Sequence, residues 1–83
     1  MLAGLTSPTQ AAVRAEMQLL LQEALNSMDP LDREVLVLRH FEELNNVETA
    51  EVLGIETSAA SKRYIRALRR LKAILDNVPG FFG

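Results

Sequence analysis

Cysteine and tryptophan are missing from these 83 residues, and there is only one histidine, one tyrosine and three phenylalanines. The lack of cysteine excludes disulfides and thiolate metal sites. The single histidine, His40, has no serine or cysteine nucleophile pattern around it, and Glu42 and Glu43 beside it read as the solvated end of a helix. No catalysis, metal, cofactor or small-molecule substrate is therefore expected. Long apolar runs are also lacking. Stretches such as Leu19-Leu20-Leu21 fall far short of a membrane span, and the N-terminus has neither the charged region nor the apolar core of a signal peptide. The expectation is a cytoplasmic protein with no membrane partner. A chain this short builds one domain of three or four packed helices with a modest core.

The most telling scarcity concerns one sign of charge. From Thr57 to Leu75 there is no acid, while the same stretch holds Lys62, Arg63, Arg66, Arg69, Arg70 and Lys72. Met1 to Glu56 is the reverse, with three arginines (Arg14, Arg33 and Arg39) against ten acids. The formal net charge of −2 thus hides a dipolar molecule. An acidic total is no argument against a nucleic-acid partner when the positive charge is gathered on one element.

Punctuation along the chain divides it into helices. Residues 1–6 are expected to be a disordered lead-in. Ser7-Pro8-Thr9-Gln10 has the form of a capped helix start, with Ser7 as cap and Pro8 where a missing N–H costs nothing. Val13, Met17, Leu20, Leu21, Ala24 and Leu25 then recur at helical spacing, and Leu19 falls off that stripe. Asp29-Pro30 repeats the device for a second helix to about Glu42, with Leu31, Val35, Leu36, Leu38 and Phe41 on its buried side and Val37 off the stripe. Asn46 is expected to cap a short third helix, Val47 to Leu53, that buries Val47, Ala50 and Leu53. Gly54 suits a left-handed C-terminal cap, and Ile55 can plug the corner that follows. A fourth helix, capped by Thr57 or Ser58, places Ala60, Tyr64, Ala67, Leu68, Leu71 and Leu75 on its core face. Val78-Pro79-Gly80 closes it, and Phe81-Phe82 is a loose tail (79–83) or a hydrophobic clasp. The three methionines read as gap fillers.

A short helix, a glycine turn and a basic helix form the sequence pattern of a helix-turn-helix, in which the second helix reads DNA. The fold class expected is all-α, a four-helix domain (7–78) with a C-terminal helix-turn-helix. A helix entering the major groove needs a small-residue start, polar side chains one and two turns in, and cations further along for phosphates. The fourth helix has that gradient. Ser58, Ala59, Ala60 and Ser61 are small, Lys62 and Arg66 are long donors one turn apart, and Arg63, Arg69, Arg70 and Lys72 can flank the groove. The bland alternative is a solvated basic face, but such faces usually interleave both signs of charge.

Three blocks in order, Asp29 to Leu44, Thr49 to Ile55 and Ser61 to Leu71, resemble region 4 of bacterial sigma-70-type factors, most closely the extracytoplasmic-function group. The resemblance covers Met28 to Lys72. It implies binding of the minus-35 element of double-stranded promoter DNA by the last helix and docking on the beta flap of core RNA polymerase, in the bacterial cytoplasm at the nucleoid. An anti-sigma factor is a further candidate partner. Carried over by position, Ser61, Lys62, Ile65 and Arg66 face bases, while Arg63, Arg69, Arg70 and Lys72 lie nearer phosphates; Ser58, at the small-residue start of the helix, is a further base-facing candidate. Leu19 and Val37, the apolar residues off their stripes, are candidate polymerase contacts. Two departures stand out. Ser61-Lys62 is transposed relative to the common basic-serine order, and Glu56 replaces a usual serine cap. A counterpart of region 2 is absent from these residues, so the chain is expected to be a C-terminal fragment or an isolated domain. Two other readings remain open, a free-standing regulator or response-regulator output domain and a purely protein-binding helical module.

Overall fold

The computed structural model describes residues 2–82, with side chains from Thr9 onward, so the lead-in reading of Met1 and the Ser7 side-chain cap lie outside the described residues. The described residues form four helices: α1 (Leu2–Ser27), α2 (Pro30–His40), α3 (Asn46–Leu53) and α4 (Thr57–Asp76). The architecture is all-α with a helix-turn-helix at its C-terminal end, as the pattern of residues implies. Among the described residues, no helix is long and apolar enough to cross a membrane.

α1 differs most from its expected extent. Its backbone is helical from Leu2, so Ser7-Pro8 lies inside the helix instead of at its start. Alanine and leucine ahead of the proline favour helix, and a proline this near an N-terminus forfeits few backbone bonds. Residues 9–16 are all exposed, and α1 becomes half-buried or buried only from Met17 on, at Leu20, Leu21, Ala24 and Leu25. A 26-residue helix is about 39 Å long, which accounts for the elongated envelope of 56 × 24 × 17 Å. Val13 is exposed for this reason, although its spacing places it on the core stripe.

Asp29 caps α2 as its sequence predicts. Its Oδ1 accepts from the Leu31 amide at 2.9 Å, and Pro30 occupies the first turn. The helix ends at His40, two residues early, because the chain turns there. The Leu44 amide donates to the Leu38 carbonyl at 2.9 Å, and Glu43 takes the left-handed conformation at φ 57°. This closure leaves Phe41 on the turn instead of the buried face. The cap of α3 is Asn45, one residue before the position expected. Glu48 decides it: its amide donates to Asn45 Oδ1 at 2.8 Å and its Oε1 accepts from the Asn45 amide at 2.9 Å. Gly54 then closes α3 at φ 69° and ψ 35°, and the Ile55 amide donates to the Ala50 carbonyl at 3.0 Å.

Both α2 and α3 pack against α4, which is the central element; the C-terminal half of α1 leans on it as well. The core is Met28, Val35, Leu36 and Ala67, flanked by Leu25, Leu53, Tyr64, Leu71 and Ile74. With a single layer of helices around α4, each has only one covered face. Leu31 and Val47, expected inside, therefore emerge on the outer sides of the first turns of α2 and α3. Beyond α4, the tail forms a clasp. Phe81 is half-buried beside Val13, Met17 and Leu20 of α1, with its ring edge-on to Phe82 at 5.2 Å between centroids.

Two left-handed residues of opposite suitability generate a paired prediction. A Cβ built at Gly54 meets nothing within 4 Å, so any cost of replacing it is backbone strain alone. Gly54→Val should lose about 1 to 3 kcal/mol in urea unfolding, and Gly54→Asn should lose less, since asparagine visits this region more readily. At Glu43 the strain is already present, so Glu43→Gly should gain up to about 1 kcal/mol. A neutral Gly54→Val or a destabilising Glu43→Gly would contradict the assignment of strain.

Candidate nucleic-acid interface

α4 is set by the corner before it. Gly54 turns the chain, Ile55 is half-buried in the angle, and Glu56, with extended backbone, occupies the N-cap position. Neither Thr57 nor Ser58 is the cap, and no side chain caps this helix. The cap falls one residue earlier than expected because the two residues after Gly54 already complete the turn. α4 therefore begins with the small residues Thr57, Ser58 and Ala59 exposed at its first turn.

Helical spacing sorts the remaining side chains. Ala60, Ala67 and Leu75 are buried, with Tyr64, Leu71 and Ile74 half-buried beside them. Opposite lie Ser58, Lys62, Ile65, Arg66 and Arg69, all exposed. The structure therefore gathers most of the expected base-facing residues in one row, with Ser61 half-buried at its edge. Ile65, 47% exposed in the middle of that row, is an apolar side chain available for a thymine methyl.

The six cations of α4 are not equivalent. Among the described residues, Lys62, Arg63, Arg66 and Arg69 have no acidic partner. Arg70 differs from the expectation that it lies against phosphate: its guanidinium Nη1 donates to Asp32 Oδ2, a carboxylate in the first turn of α2. Lys72 is also engaged, donating to Asp76 Oδ2 at 3.0 Å, with its ammonium 5.6 Å from the centre of the Phe82 ring. Asp76 is the last residue of α4, one turn beyond Lys72, whereas Asp32 lies on another helix, which is why charge counting along α4 could not single out Arg70.

α2 grips α4 a second time at its other end. The Tyr64 hydroxyl and His40 Nε2 are 2.8 Å apart, and the Arg39 guanidinium lies over the Tyr64 ring at 4.5 Å from the centroid. Arg39 also donates to the Leu44 carbonyl at 3.2 Å. His40 thus has a packing partner on α4. Tyr64 sits as its spacing suggests, with its ring at the core and its hydroxyl at the rim.

Leu19 and Val37 do not share a surface. Leu19 is 59% exposed on the outer side of α1, whereas Val37 is half-buried in a shallow groove with Leu38, Leu44 and Val52, between α2 and α3. A different apolar groove runs where α1, α2 and α4 meet. It is lined by Leu21, Leu25, Leu36, Leu68 and Leu71, with Phe41 on its rim at 64% exposure. Spacing alone puts Phe41 and Leu68 in the core, whereas both are exposed. The signal that could have moved Phe41 is the pair Glu42-Glu43 after it, which marks the end of α2; nothing local to α4 does the same for Leu68.

The family model for sigma-70, region 4 matches residues 24–73. Among curated proteins, the chain is 39% identical over 57 residues to an RNA polymerase sigma-E factor of Streptomyces antibioticus, covering 69% of this chain and 32% of that protein. It is 38% identical over 58 residues to the RNA polymerase sigma-E factor of Streptomyces avermitilis, covering 70% and 32%. For the protein of the same description in Streptomyces coelicolor, identity is 40% over 53 residues, covering 64% and 30%. The chain spans about a third of the length of these relatives. The matched stretch runs from the packed end of α1 through most of α4, so the four-helix body, the glycine corner and the acid-free helix all fall within it, and the chain belongs to the sigma-70 region 4 family.

Proposed function

We propose that this domain recognises the minus-35 element of bacterial promoters by laying α4 in the major groove, as one part of an RNA polymerase holoenzyme in the cytoplasm. The observation that carries the reading is the exposed row Ser58, Lys62, Ile65, Arg66 and Arg69, with no acid on the helix before Asp76. Lys62 and Arg66 lie one turn apart near the start of the helix, where a recognition helix meets base edges. Arg63 and Arg69 border them and suit phosphates. The relatives' description as RNA polymerase sigma-E factors supports the same assignment.

One helix reads only a few base pairs, so affinity must be supplemented by a second attachment. The apolar groove bordered by Phe41 and Leu68 is the better-formed candidate for docking on the polymerase beta flap than Leu19 and Val37, which lie apart. It opens beside Leu68 and Leu71, away from the row of cations, so polymerase and DNA can be held at once.

Competition titrations at several salt concentrations test the DNA reading. Lys62→Ala and Arg66→Ala should each cost about 1 to 3 kcal/mol on the cognate duplex and much less on random DNA. Arg69→Ala should weaken both alike and flatten the salt dependence by about one unit of slope. Equal losses on both duplexes for Lys62→Ala and Arg66→Ala would show that α4 does not read bases at these positions. The docking reading has its own readout: Phe41→Asp should reduce assembly with core polymerase while leaving duplex binding by the isolated domain unchanged. Unaltered assembly would remove this groove from consideration.

A further inference from the structure

Arg70 belongs to the cationic helix by sequence, yet its charge is turned inward. Its partner Asp32 is only 5% exposed, whereas the Arg70 side chain remains 56% exposed. The acid is thus the buried member of the pair, and the arginine reaches back to it from the rim of α4. A buried carboxylate requires a compensating partner, so the tether is held firmly at the α2 end. Eight residues along α2, His40 and Arg39 hold Tyr64. That separation is about 12 Å along the helix. Val35 and Leu36 pack against Ala67 between the two attachments.

Two lateral holds on either side of a packed centre fix the rotation of α4 about its own axis. Apolar contacts of Tyr64, Ala67, Leu71 and Ile74 keep α4 on the core, and the two polar holds, being directional, set the angle at which it settles. Rotation matters here because successive residues stand about 100° apart around a helix. A turn of a small fraction of that angle carries the tips of Lys62 and Arg66 away from the base edges they are proposed to meet.

We propose that Asp32 is a positioning residue for DNA recognition: through Arg70 it sets the rotation of α4, and Arg70 is its tether, not a phosphate contact. This inference rests on the reading of α4 as the base-reading helix. It reduces the cations that α4 offers to DNA, because Arg70 is neutralised from within the protein.

The test uses a duplex selected from a randomised pool by the wild-type domain, a random duplex, and titrations at several salt concentrations below the melting transition of each variant. Asp32→Ala removes the tether and keeps the cation. It should lower the preference for the selected over the random duplex by about tenfold, the value of one good base contact, while the freed Arg70 steepens the salt slope by up to about one unit. Arg70→Ala should lower the preference similarly and leave the slope at the wild-type value. Removing both partners also removes the unpaired buried acid, so Asp32→Ala/Arg70→Ala should recover stability relative to Arg70→Ala without recovering the preference. A folded Asp32→Ala with wild-type preference overturns the proposal, as does an Arg70→Ala whose slope flattens by one unit in the manner expected of Arg69→Ala. If the wild-type domain itself selects no sequence, the base-reading assignment fails together with this one. If it selects a sequence and Lys62→Ala loses the preference while Asp32→Ala keeps it, only the positioning role falls.

Discussion

Everything in this domain hangs on how closely α2 and α3 can approach α4, and that distance is set by alanine. Ala60 and Ala67 are both completely buried, two turns apart on the inner face of α4, and Ala50 of α3 is almost as deeply enclosed. Interaxial distance follows the size of the side chains at a crossing. Larger residues at these points would drive α4 outward, reopening the glycine corner and detaching the polar holds at Asp32 and His40 together. The core is small enough that this approach matters more than bulk. Val35 and Leu36 are its best-buried large side chains, and most of its other members are only partly covered.

The charge distribution follows from the same geometry. Since one face of α4 is committed to α2 and α3, its cations have only the outer row and the two flanks to occupy. On the outer row, Lys62, Arg66 and Arg69 face solvent without acids to answer them. At the flank against α2, Arg70 meets a carboxylate buried at the helix junction. Near the C-terminal end, Lys72 is drawn to Asp76 and the aromatic tail. The ten acids before Thr57 lie on the other three helices or their connections, so a polyanion is attracted to one side of the molecule and repelled from the rest.

Much of this was legible in the sequence because it is governed by local rules. Asp29-Pro30 marked the start of α2, Gly54 marked its left-handed turn, and the spacing of Ala60, Tyr64, Ala67, Leu71 and Leu75 marked the inner face of α4. What escaped was decided by tertiary placement. Periodicity could say that Val13 shares a stripe with Met17, but not that the packed helices end before reaching it and leave only the tail beside it. It could not tell the left-handed Glu43 from an ordinary helix residue, since glutamate is not a residue whose presence advertises that conformation. Phe41 and Leu68 sit at core spacing on their helices, yet the groove they border is left open because α1 leans on α4 along only part of its length. The pair Asp32 and Arg70 is separated by 38 positions, and no count of charges along α4 reveals which arginine is spoken for.

The proposed division of labour is built into α4 itself. Leu68 and Leu71 border the apolar groove, while Lys62, Arg66 and Arg69 stand on the outer row, so one rigid element carries both surfaces on different sides. A partner seated in the groove would press on α1, α2 and α4 at once, adding apolar burial beside His40, one of the two polar holds on α4. The free domain has a small core, and at the α2–α4 junction the two polar holds add to the packing of Val35 and Leu36 on Ala67. Docking of that kind would therefore contribute more than proximity to DNA. On the proposed reading it would also steady the rotation of α4, and a partner and DNA that both favour the same packed arrangement would each raise affinity for the other.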